Sequence, residues 1–266
     1  MVRHSRFIKE EMIKFFTEKE NIIGDKIYIT SADDMKHMVK VLRARIGDEV
    51  VVSDKEAFEY LTEIEEIRDV EVVLAIKDKY EFRNEPKTEV TLYQGIPKGP
   101  KLETVVQKTV ELGVHRIVPV FMDRTIVSDK GNFSKKVARL QKIADEAVKQ
   151  CKRGIIPCVS DAMDNDAMID DLKAMNYDGI ILAYEDEKGY SIKDAVRERE
   201  GELNLKKGSR IALIIGPEGG FEKEEVDRVL EIFGRKAVSV TLGKTILRTE
   251  TAGMAALAMI MYELEL

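Results

Sequence analysis

The chain has 266 residues, with 43 Lys and Arg against 49 Asp and Glu, a formal charge of −6, and 44% apolar residues. That is core material for one large domain or two ordinary ones, and it excludes bulk disorder. The longest apolar run, Ala252 to Tyr262, has eleven residues, short of a bilayer span; Met1 to Glu11 is charged throughout, unlike a secretory signal; and two cysteines, Cys151 and Cys158, make neither a disulfide framework nor a metal cluster. A cytoplasmic protein with no membrane segment and no metal is expected. The acidic balance at first argues against nucleic acid.

In chain order, Ile27–Ile29, Glu49–Val52, Tyr60–Ile67 and Val70–Ile76 are short strand-like runs, with turn signals at Gly24-Asp25 and Gly47-Asp48. A helix fits Asp33–Ala44. Together they predict a small barrel with one helix over residues 1–76. Lys77–Thr88, charged and containing Pro86, is the expected linker. Residues 89–266 then alternate. Strands are predicted at Val90–Ile96, Arg116–Phe121, Gly179–Tyr184, Ile211–Ile215 and Ala237–Leu242. Helices are predicted at Leu102–Leu112, Ser134 to a stop at Gly154, Glu222–Phe233 and Thr251–Leu264. This pattern predicts an α/β domain with a mainly parallel sheet. Within it, residues 98–153 hold 13 Lys and Arg against 6 Asp and Glu. A segment so basic in an acidic chain suits phosphate contact, and it equally suits solvated helix surfaces.

Two loops carry candidate chemistry. Ile214–Phe221 follows a buried strand and precedes a helix, where ligands sit in open α/β sheets. Its glycines allow close backbone approach, and Glu218 stands alone among Pro217, Gly219 and Gly220. Leu242–Thr251 also joins a strand to a helix. Gly243-Lys244-Thr245 imitates the end of a phosphate-binding loop, but Val238 occupies the position of the required first glycine, so triphosphate binding is rejected. Thr249 and Thr251 are candidate helix caps, and Glu250 suits the positive helix start. The closing helix is apolar nearly all round, as a helix buried on both sides would be. His4, His37 and His115 are scattered and read as structural or surface residues, and Cys151 as core.

Taken jointly, these motifs resemble the SPOUT class of RNA methyltransferases, and within it the ribosomal small-subunit methyltransferase E family. The resemblance rests on Ile215–Phe221 (IGPEGGF) followed by Leu242–Ala252 (LGKTILRTETA). It is extended by Lys98-Gly-Pro-Lys101 with Gln107–Gly113, Asp123-Arg124, Gln150–Arg153 through Pro157, and His37–Arg43 with Gly47-Asp48. It covers nearly the whole chain. Asp123 stands where that family usually has Glu.

The resemblance implies a PUA-like β-barrel followed by a SPOUT domain with a C-terminal trefoil knot over roughly 180–266. It implies S-adenosylmethionine bound by Leu182, Gly216, Pro217, Gly219, Gly220, Leu242, Gly243, Ile246, Leu247 and Arg248. It implies a homodimer that methylates N3 of a uridine in small-subunit (16S) ribosomal RNA. That reaction must remove the N3 proton and stabilise the ring anion. Glu218 is the candidate base, and Arg124, acting across the dimer, or Arg248 the candidate stabiliser. RNA contacts are expected from Arg3, Arg6, Arg43, Lys98, Lys101, Lys152 and Arg153. Two alternatives stay open: a related enzyme acting on a tRNA ribose hydroxyl, and a catalytically silent RNA-binding assembly factor.

Overall fold

A computed structural model of the chain describes residues 14–82, 84–127, 133–197 and 203–265. They form two units, the first running to Glu85 and also taking Lys152–Ile156, the second comprising the rest.

The first unit is built on β1 (Lys14–Phe16), β2 (Ile22–Ile23), β3 (Lys26–Ile29), β4 (Glu49–Ser53), β5 (Phe58–Ile67) and β6 (Val72–Glu81). They pair in the order β1-β4-β5-β6-β3-β2, antiparallel except for β1 beside β4. Alternate residues of β3 and β5 point inward, as strand periodicity requires. Phe15, Ile27, Ile29, Val52, Ile64, Val72 and Leu74 form the core. The expected barrel is not closed: among the described residues the two outer strands, β1 and β2, do not pair with each other. The predicted helix is shorter than 33–44. It starts at α1 (Ala32–Lys36), capped by Ser31 Oγ, and passes into a π-helical turn, His37–Val41, that buries Met38.

Two expectations fail in this region. Lys77–Glu81, placed in a linker by their charge, continue β6 and pair with β5; charged side chains are tolerated because this end of the hairpin is largely exposed. Gly154 does not stop the helix before it. That helix ends at Cys151, and Lys152 takes the left-handed conformation (φ 61°). Gly154 instead lies against Phe82, where a Cβ would come within 2.5 Å of the ring.

In the second unit, β7 (Glu89–Gly95), β8 (Arg116–Phe121), β9 (Cys158–Val159), β10 (Met163–Asp164), β11 (Gly179–Ala183), β12 (Arg210–Ile215) and β13 (Ala237–Val240) make one sheet. The order is β10-β8-β7-β12-β11-β13, with β9 beside β8. Every pairing is parallel. The helices are α2 (Lys101–Glu111), α3 (Phe133–Cys151), α4 (Asn165–Met175), α5 (Ile192–Arg197), α6 (Lys223–Phe233) and α7 (Thr249–Glu265). Side chains of α4 and α6 close one face of the sheet, around Tyr93, Val118, Ile180 and Ile214. Helix α7 packs on β7, β12, α2 and α5.

Helix α4 has no counterpart among the predicted elements. Asp164 caps it by accepting from Ala167 N at 2.9 Å. Helix α7 begins two residues earlier than expected and is not buried on both sides. Gly253, Ala256, Leu257, Ile260 and Met261 are covered, whereas Met259 and Tyr262 are 40% and 63% exposed. No helix among the described residues is long and apolar enough to cross a membrane.

Candidate functional site

Parallel strands deliver their connections to one edge of the sheet. At that edge the second unit holds a cavity of about 880 Å³. Three segments enclose it: Ala183–Glu185 at the end of β11, Ile215–Gly220 after β12, and Thr241–Thr249 after β13, with Lys101, Glu187, Lys188 and Ala252 completing the wall.

Of the expected cofactor residues, Gly216, Pro217, Gly219, Gly220, Leu242, Gly243, Ile246, Leu247 and Arg248 all line the cavity. Leu182 does not: its side chain is buried in the core beside Ile214. Alternation along a strand turns it away, and β11 contributes Ala183, Tyr184 and Glu185 instead. Gly220 is left-handed (φ 72°), and a Cβ there would overlap the Glu185 carboxylate at 1.8 Å. Ile246 is 86% exposed at the mouth.

The charged candidates divide. Arg248 is exposed, lines the cavity and makes no ion pair among the described residues. Glu218 accepts from Lys98 N at 3.0 Å and from Lys101 Nζ at 3.0 Å. Partial burial raises its carboxyl, but those hydrogen bonds and the Lys101 charge outweigh it, and the carboxyl sits below the usual carboxylate range. Lys101 also lies 3.6 Å from Glu250, so this expected RNA contact is held between two carboxylates. Arg124 donates to both oxygens of Glu222, at 2.7 and 2.8 Å, and to Gly219 O at 3.1 Å. It grips the outside of the glycine loop of its own chain.

Beneath the cavity, Thr249 Oγ1 donates to Gly216 O at 2.6 Å and accepts from Gln94 Nε2 at 2.8 Å. Its side chain does not cap its own helix. Gln94 also donates to Gly95 O, and among the described residues its buried Oε1 has no donor. Gly95 lies directly under Pro217, where a Cβ would be 2.4 Å from the Pro217 nitrogen.

The cavity's volume is in the range of small-molecule sites. Its walls combine apolar Ile215, Ile246, Leu247 and Ala252 with Glu185, Thr241, Thr245 and Arg248. That donor set fits a ligand joining a flat heterocycle to a charged amino-acid end, held largely by backbone. Among the described residues no group of His, Cys, Asp or Glu is placed to hold a metal ion.

Residues 83–261 match the family model described as an RNA methyltransferase domain, and residues 29–76 the model described as an RNA methyltransferase PUA domain. Ribosomal RNA small subunit methyltransferase E of Bacillus subtilis (strain 168) is 31% identical over 266 residues, covering 96% of this chain and 98% of its own length. The chain belongs to the ribosomal RNA small subunit methyltransferase E family. The member from Neisseria gonorrhoeae, in a crystal structure bound to S-adenosyl methionine, superposes with a TM-score of 0.78 at 27% identity, over 96% of this chain and 98% of that one.

The remaining RNA candidates of this family member fall unevenly. Arg3 and Arg6 lie outside the described residues. Arg43 is exposed at a left-handed position (φ 54°). Lys98 and Lys152 are exposed, the latter with its carbonyl accepting from Lys14 Nζ. Arg153 is not a surface cation. Its side chain is 6% exposed and pairs with Glu85 at 3.0 Å, while Glu85 also accepts from Gly154 N and Ile155 N. The motif placed Arg153 among basic residues, and only the fold reveals its carboxylate.

Further cations of the same basic segment, not singled out as RNA contacts, stand on α3. Lys135, Arg139 and Lys142 share its exposed face, with Arg139 also meeting Glu103 at 2.9 Å. Their spacing of three to four residues was the available signal. Gln94 gave a signal too, as the one amide side chain in β7, beside Leu92 and Tyr93.

Proposed function

We propose that the protein is a cytoplasmic enzyme that uses S-adenosylmethionine to methylate N3 of a uridine in the 16S RNA of the small ribosomal subunit. The observation that carries this reading is the convergence of the Gly216–Gly220 loop, the Leu242–Arg248 loop and the end of β11 on one cavity at the carboxyl edge of a parallel sheet. When bound, S-adenosylmethionine supplies a methyl group already activated by its sulfonium.

The chain's own residues then have four tasks. The backbone of Gly216, Gly219, Gly220, Leu242 and Gly243 holds the cofactor, and Ile246 and Leu247 cover it from water. The uridine N3 becomes nucleophilic as its proton passes to solvent water, and the negative charge left behind spreads over the ring. Arg248 is assigned to that charge, since no carboxylate among the described residues neutralises it. Glu218, held ionised by Lys101 and the Lys98 amide, is assigned to anchoring the Lys98–Lys101 turn, and Arg124 to holding the glycine loop through Glu222. RNA phosphates are assigned to Arg43, Lys98, Lys152 and the α3 cations.

Two features support the wider architecture. The chain leaves the sheet at its outer strand β13 and returns as α7 over β12 and β7, past the Gly216–Gly220 loop, a course that suits a trefoil knot. The uncovered Met259 and Tyr262 of α7 suit a homodimer interface. Light scattering on Tyr262→Asp should then show a shift to monomer.

The test of the reaction is transfer of labelled methyl to assembled small subunits and to naked ribosomal RNA, with mass spectrometry of the product nucleosides. N3-methyluridine is the expected product. A 2′-O-methylated nucleoside would replace this reading with a ribose methyltransferase, and no transfer together with no cofactor binding would leave an RNA-binding assembly factor.

A further inference from the structure

We propose that Thr249 is a positioning residue that sets the width of the cofactor cavity by latching its two long loops together, with Gln94 holding the latch in register. The proposal rests on the reading of this cavity as the S-adenosylmethionine site.

Gly243, Lys244, Thr245, Ile246 and Arg248 are all exposed, so most of this loop has little packing of its own. The chain is fixed before it, where Val240 is buried and Thr241 N donates to Tyr190 O. Thr249, 6% exposed, is the first buried residue after it. The Thr249 hydroxyl is not used to start α7. It crosses to Gly216 O, 33 residues away in sequence and the first residue of the opposite loop. Gly216 offers that carbonyl at a place where a side chain would press on the Phe221 ring, 3.2 Å from a would-be Cβ.

Gln94 supplies the direction. Its Nε2 donates to Thr249 Oγ1, which leaves the hydroxyl hydrogen for Gly216 O. Gln94 is itself fully buried at the end of β7, and Gly253 of α7 makes room for it: a Cβ there would be 2.9 Å from Gln94 Oε1. One chain of donors thus runs from the sheet through the base of α7 to the glycine loop. It limits the motion of two cavity walls, and while Thr249 itself stands in the wall, Gln94 lies outside the cavity lining. Ordering those walls in advance removes a cost that binding would otherwise bear.

The experiment is calorimetric titration of S-adenosylmethionine and of its demethylated product, S-adenosylhomocysteine, into the full chain and its variants. Thr249→Val keeps the shape and removes the hydroxyl. It should weaken both ligands by about tenfold or more and equally, because the latch does not sense the methyl group. Thr249→Ser should bind within about threefold of the unaltered chain. In steady state, KM for the cofactor should rise in Thr249→Val while kcat at saturating cofactor falls less than about threefold. Gln94→Met should weaken both ligands in the same direction by a smaller factor, and it decides the matter if Thr249→Val does not fold. Unchanged affinity in a folded Thr249→Val or Gln94→Met, or failure of serine to restore binding, overturns the latch. Absence of cofactor binding by the unaltered chain overturns the proposed function instead.

Discussion

At the scale of single residues, the site depends on places where no side chain fits. Gly95 is the sharpest case, because the obstacle to a Cβ is the Pro217 backbone, which cannot swing aside. Gly95→Ala should therefore destabilise the protein by about 1–3 kcal/mol and weaken cofactor binding, read by urea unfolding and calorimetry. Carboxylates in and beside the cavity shape the pH dependence of stability. Glu187, through the Gly189 N–H and the Ser239 hydroxyl, and Glu222, through Arg124, are held below the usual range, as is Glu218. A carboxyl depressed in the folded state stabilises it above the unfolded value of about 4.3. That contribution is lost as pH falls through the lower folded value. The contribution of these carboxylates to stability should accordingly be flat from about pH 6 to 8 and decline only in the carboxylate range below about 4.3, as thermal melts across pH would show. Stability that fell steeply between pH 8 and 6 would remove these carboxylates from the account.

At the scale of elements, identical sequence signals met different fates. Basic residues of the 98–153 segment look alike in the chain, yet Lys101 lies between Glu218 and Glu250 and Arg153 is buried against Glu85. Lys135 and Lys142 remain on the open face of α3. Replacing both by Gln should reduce the slope of RNA affinity against log salt by roughly one unit for each phosphate left without its cation, measured by filter binding at several salt concentrations. Lys101→Gln should leave that slope unchanged. Helix α7 makes the complementary point: its composition reads as buried all round, but a single chain covers one face only.

At the scale of the whole molecule, the two units are not two stretches of chain. Lys152–Ile156 leave the end of α3 and join the first unit. The Glu85–Arg153 pair, with Glu85 also accepting from the amides of Gly154 and Ile155, ties them there. Arg153→Ala would leave a buried carboxylate short of its cation and should cost about 3–5 kcal/mol, visible as a lower urea midpoint. RNA affinity in the folded fraction should fall far less than for a phosphate-contacting lysine. The net charge of −6 belongs to this scale also: it is a sum over a molecule whose basic segment is partly neutralised internally and partly displayed on α3.

The alternating α/β pattern, the two loops of the site and, through their joint motifs, the family are all legible in the amino-acid order. These are local facts, carried by hydrophobic periodicity and by glycines at fixed spacing. Four things emerge only on folding: which charges lack a counter-ion, the inward turn of Leu182, the reach of Thr249 to Gly216 in place of capping its helix, and the membership of residues 152–156 in the first unit. Each of those depends on a partner tens of residues away in the chain. A side chain's chemistry is written in the sequence, but whether it is charged, buried or exposed is settled by the neighbours that folding brings to it.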